Sequence, residues 1–170
     1  MKIPGVRGCE MNEWLLVDHL EVDRLLADWR WLCPRSMTLV GRTAFGDLFL
    51  RDHGGVVFWL NTTVGKLIQV ARSEEQFREL AEGNERRSEW FAEPDQQACS
   101  RRGLKPGPTQ CIGFSVPLVF AESGGSDTAY IADLYEYVSF LGDLHRQIAN
   151  LPDGSKVRLR VQPPKASASQ

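Results

Sequence analysis

Residues 47–62, DLFLRDHGGVVFWLNT, constrain the fold more than any other stretch of the chain. Two apolar runs rich in Leu, Phe, Val and Trp flank the step His53-Gly54-Gly55. Its glycines accept the positive φ that a tight turn demands, so the spacing predicts a hairpin of strands at 47–52 and 56–62. MTLVG (37–41) precedes this hairpin, and KLIQVA (66–71) follows it after a turn near Val64-Gly65. Connections this short join antiparallel neighbours, and the four runs read as a meander.

Helical signals surround the meander. Val22, Leu25, Leu26, Trp29 and Leu32 repeat at the i, i+3, i+4, i+7 spacing of one helical face, which predicts a helix over 17–32 stopped by Pro34. Ser73-Glu74-Glu75-Gln76 has the form of a capping box opening a second helix, with Phe77, Leu80 and Ala81 inside and Gly83 as its stop. A broken helical region follows at 85–102. Pro94 suits the first position of a new helix, so it divides into a turn around Trp90-Phe91 and a helix at 94–102 closed by Gly103. CIGFSVP (111–117) reads as a strand. Tyr137, Leu141, Leu144, Ile148 and Leu151 form one stripe of a helix over 133–150, and KVRLRV (156–161) alternates like a half-buried strand.

Strands and helices thus come in blocks, not in regular βαβ alternation. The expected class is α+β: an antiparallel sheet, a meander of three to five strands plus a C-terminal strand, with helices packed on it. A chain of 170 residues suits one domain, expected at 13–161, between a flexible leader at 1–12 and a disordered tail at 162–170. The N-terminus lacks the apolar core of a signal peptide, and no apolar run approaches a membrane span, so a cytoplasmic protein without membrane contact is expected. A net charge of −2 argues against a dedicated nucleic-acid binder. Cys9, Cys33, Cys99 and Cys111 are far apart without a CxxC pair, which favours reduced thiols over disulfides or zinc.

Catalytic patterns are weak. His145, with Asp143 and Arg146 beside it, is the most suggestive histidine. On a helix, however, Asp143 lies about 200° around from His145 and cannot orient its ring, whereas Asp143 and Arg146 are spaced as a surface ion pair. His145 itself falls at the border of the apolar stripe. His53 lies in the hairpin turn and His19 near the first helix, and the three share no metal-binding spacing. No phosphate loop or GxSxG elbow occurs. The reading is a protein that is not an enzyme and needs no cofactor or metal.

Charge distribution is more informative. From Pro106 to His145 the chain carries Glu122, Asp127, Asp133, Glu136 and Asp143 and no Lys or Arg, after which Arg146, Lys156, Arg158 and Arg160 follow. Glu122, Asp127, Asp133 and Glu136 are the candidate interface residues, a negative surface for a basic partner.

Four blocks also carry a family resemblance: WRWLCP (29–34), AFGDLFLRDHGGVVFWLNT (44–62) with SEEQF (73–77), KPGPTQCIGF (105–114), and YIADLYEYVSFLGDLHRQIANLPDGSKV (130–157). Together they resemble the C-terminal domain family of immunity proteins against type VI secretion DNase toxins, related to the GAD-like domain proteins. That family shows WxWLxP, FGDLFL, WLNT or WLDT, PGQCYGF and SFLGQIHRQIxDLPDG in this order, and the match spans roughly residues 25–160. Where the family often has PPVLGG, this chain has Pro117 to Gly125, so specificity carried by that loop differs. The resemblance implies a cognate immunity protein that binds a co-encoded bacterial toxin in the cytoplasm. Such an inhibitor needs a complementary surface, not an active site, and a DNA-cleaving toxin must present basic surface to phosphates. The alternative is a small-ligand or regulatory module with a pocket between sheet and C-terminal helix, lined by Trp59, Phe114 or Tyr137.

Overall fold

A computed structural model of the chain describes residues 17–33 and 36–159. The expected leader at 1–12, the tail at 162–170, Pro34 and the last two positions of the expected strand at 156–161 lie outside these residues.

The meander forms as the spacing predicts. β1 (Thr38–Arg42), β2 (Leu48–Arg51), β3 (Val57–Asn61) and β4 (Lys66–Ala71) build an antiparallel sheet in sequence order. In the hairpin, Leu48 pairs with Leu60, Phe49 with Trp59 and Leu50 with Phe58. Its turn closes through Asp52, whose backbone N–H donates to Val56 O at 2.9 Å and whose Oδ1 accepts from Val56 N at 3.0 Å.

Neighbouring residues of a strand point to opposite faces, and here both faces are covered. Leu48, Leu50 and Leu60 join one core with the N-terminal segment and the last helix. Phe49, Val57 and Trp59 join a second core on the opposite face. This double burial explains why the central strands are almost continuously apolar and not half polar.

The second core is built under three helices, α2 (Glu74–Glu82), α3 (Asn84–Phe91) and α4 (Glu93–Arg101). Ser73 caps α2 by accepting from Gln76 N at 3.1 Å, while the Gln76 side chain accepts from Arg72 N at 2.7 Å, one residue before the cap. Phe49 sits at the centre of an aromatic cluster, its ring 4.8 Å from Phe77, 5.4 Å from Trp90 and 5.7 Å from Phe91. Trp90 and Phe91 end a full helix here, not the short turn expected, and α4 begins after Ala92, which adopts a left-handed φ of 44°.

Three further expectations change. The expected helix at 17–32 is broken into α1 (Val22–Leu25) and a 3-10 turn at Ala27–Trp29. The break serves Trp29, which is fully buried and donates its indole N–H to Val138 O at 2.8 Å. The strand expected at 111–117 is shorter: β5 covers Gln110–Phe114 and pairs with β6 (Ala129–Asp133), inside the acidic segment, as a two-stranded sheet. The C-terminal strand does not form over 156–159, where the chain is exposed and carries no strand pairing among the described residues. β5 is tied to the meander by Ile112 N donating to Ala44 O at 2.7 Å, and by Arg42, which donates to the Gly107, Pro108 and Gln110 carbonyls. The last helix, α5 (Leu134–Ile148), lies against the broken N-terminal segment. The architecture is α+β, with helices on both faces of the four-stranded sheet.

Candidate functional site

His145 is buried, not at the border where the helical stripe placed it. Gly65 makes the room: its φ is 65°, and a Cβ there would fall 2.5 Å from His145 Nδ1. The ring lies 5.8 Å from that of Trp29, and Nε2 is 2.9 Å from Thr62 O. A carbonyl only accepts, so Nε2 carries the proton and is held in a structural bond. Burial pushes the His145 pKa below its ordinary value, against the opposing effect of the carbonyls at Thr62 and Thr63.

Thr62 also faces a buried carboxylate. Asp47 accepts from Thr62 N at 2.8 Å, from Thr62 Oγ1 at 2.8 Å and from Trp59 Nε1 at 3.2 Å. Burial still pushes its pKa up to about 6, against the lowering effect of those donors. Asp47, Thr62 and His145 therefore stitch the sheet to α5 across the core. Trp59, an expected pocket residue, belongs to this stitch. Tyr137, another, accepts from Phe114 N at 3.1 Å through its buried hydroxyl.

Asp143 pairs with Arg146 and accepts from Gln147 Nε2 at 2.6 Å, as its spacing suggests. His53 is exposed in the β2–β3 turn, and His19 makes a 3.0 Å ring contact with Pro108 O. Among the described residues no group of three or more His, Cys, Asp or Glu is placed to hold a metal ion.

The four candidate interface residues, Glu122, Asp127, Asp133 and Glu136, are all exposed. Asp133 is the N-cap of α5 and accepts from Glu136 N at 3.0 Å, so these two share one helical turn. Asp127 lies before the other end of β6, in a 3-10 turn at Gly125–Thr128. The strand between spans about 13 Å. Glu122 lines a separate open groove of about 700 Å³ with Val119, Phe120, Lys156, Val157 and Leu159. Asp127, Asp133 and Glu136 thus flank β6, whereas Glu122 lies in a groove apart from them. None of the four is in an ion pair among the described residues.

Phe114, the third expected pocket residue, lines a cavity, but one beside α4 and not between the sheet and the C-terminal helix as expected. It is a space of about 260 Å³ bounded also by Phe45, Ala92, Asp95, Cys99 and Leu118. Sequence reasoning missed it because its walls come from the β1–β2 turn, α4, β5 and the loop after β5, and no spacing within one element brings them together.

No protein-family model matches the chain, and no curated protein matches it. Among the described residues no helix is long and apolar enough to cross a membrane.

Proposed function

We propose that this chain is a non-catalytic binding protein, an immunity protein that neutralises a co-encoded bacterial toxin, a type VI secretion nuclease effector, in the cytoplasm. The observation that carries the reading is the exposed, unpaired state of Glu122, Asp127, Asp133 and Glu136 among the described residues. Exposed carboxylates outside ion pairs contribute a negative field that accelerates docking of a basic partner. A nuclease is such a partner, because the surface that grips phosphates is cationic. The motif resemblance points the same way.

Co-expression with the product of the adjacent reading frame tests the reading through rescue of growth and co-purification. Reversing all four carboxylates to Lys lowers the association rate by about tenfold or more at low salt, with a smaller effect at high salt. Unchanged association after all four reversals removes this surface from the reading.

The cavity lined by Phe114 favours a second reading, a small-ligand or regulatory module. A thermal shift with a metabolite in the absence of any toxin supports it.

A further inference from the structure

The cavity beside α4 has an apolar lining with two aromatic rings and one carboxylate. Phe45 and Phe114 stack on each other in that lining, their rings 5.9 Å apart and inclined by only 11°. Ala92, Cys99 and Leu118 continue the apolar lining, and Leu118 is 38% exposed. Asp95, in the first turn of α4, is exposed and in no ion pair among the described residues. Ser126, next to the candidate interface residue Asp127, also lines the cavity.

We infer that this cavity seats one arginine side chain of the basic protein partner. The inference rests on the toxin-binding reading and names an anchor within that interface. Arginine combines the three properties the cavity asks for: an apolar stem for the lining, a planar guanidinium that stacks on an aromatic face, and a cation for Asp95. Lysine offers a compact, strongly hydrated charge that does not stack in this way. Next to the cavity residue Ser126, Arg102 of the chain itself donates to the main-chain carbonyls of Ser126 and Asp127. Asp95 is the charged residue of the lining, and its carboxylate is what the incoming cation neutralises. Cys99 remains a neutral thiol, its pKa raised by burial.

The geometry of Ala92 fits a wall that is held in place. A non-glycine residue at φ 44° is strained, and such strain persists only where the surroundings impose it. Its methyl group stays on the cavity surface at that cost.

L-arginine amide, added to the isolated protein at millimolar concentration, tests the seat by NMR. Shifts at Phe45, Ala92 and Leu118, weakened in Asp95→Asn and absent with norvaline amide, support it. No shift, or an equal response to norvaline amide, overturns it and leaves the toxin-binding reading standing. In the complex with the co-encoded toxin, Asp95→Asn raises Kd by about tenfold. Wild-type affinity in that variant overturns the anchor, whereas no binding by the wild-type protein overturns the toxin-binding reading itself. Asp95 is exposed, so an unchanged melting temperature confirms that the variant folds.

Discussion

The two ends of α5 carry similar polar residues and use them differently. At the C-terminal end, Asp143 is matched by Arg146 and Gln147, and His145 by the Thr62 carbonyl. At the N-terminal end, Asp133 and Glu136 are exposed and in no ion pair among the described residues, although Asp133 caps the helix. The end that suggested chemistry is a closed structural joint, and the plainer end is exposed. Residue type does not separate the two. What separates them is whether the fold supplies a partner for each group.

The sharpest way to break the closed end is Gly142→Ala. A Cβ there would lie 2.8 Å from Asp28 O and 2.9 Å from Trp29 Nε1, neither of which can move without prising α5 from the 3-10 turn. Denaturant unfolding should show a loss of about 3 kcal/mol. A loss within the error of the measurement means that the joint is looser than described.

Titration sharpens the comparison next. Folded Asp47 holds its proton more tightly than the unfolded chain, so its contribution to stability rises as pH falls through about 6 towards 4. Folded His145 holds its proton less tightly, so its contribution falls as pH drops below about 6.5. The two slopes oppose each other, each at most about 1.4 kcal/mol per pH unit. Against the Asp47→Asn/His145→Gln double variant, His145→Gln alone should gain stability on acidification, and Asp47→Asn alone should lose it. Parallel pH profiles in all three proteins refute the assignment.

The open end responds more weakly in stability and more strongly in binding. Asp133→Ala removes the cap of α5 and costs about 1 kcal/mol in thermal or chemical unfolding. Asp133→Asn keeps a capping oxygen and costs only a few tenths of a kcal/mol, yet it slows association with a basic partner. If both variants bind at the wild-type rate, Asp133 serves the helix alone.

Much of this fold was legible because local patterns agreed with tertiary need. β1 to β4 fall within a residue or two of the runs that suggested them, and Ser73 caps α2 as its motif implies. β6 was missed because AYIAD is short and runs directly into the amphipathic pattern of α5. The break before Trp29 was illegible, because Leu25, Leu26 and Trp29 keep helical spacing while the bend answers to Val138, 109 residues away. KVRLRV alternates as a strand should, but alternation only offers an edge, and over 156–159 no neighbour takes it. The exposed acids could be read from their residue types. The cavity beside them could not, since it exists only where four separate elements meet.

The Trp29–Val138 bond has a consequence for the order in which the chain assembles. The meander is made of near neighbours and can pair as soon as it leaves the ribosome, whereas the cover for Leu48, Leu50 and Leu60 includes α5, which is synthesised more than 60 residues after β4. Until about residue 148 has emerged, that side of the sheet has only the segment before β1 to cover it and lacks the part supplied by α5. A nascent chain stalled with α5 still inside the exit tunnel should bind holdase chaperones or aggregate, while one extended by a linker long enough for α5 to emerge should not.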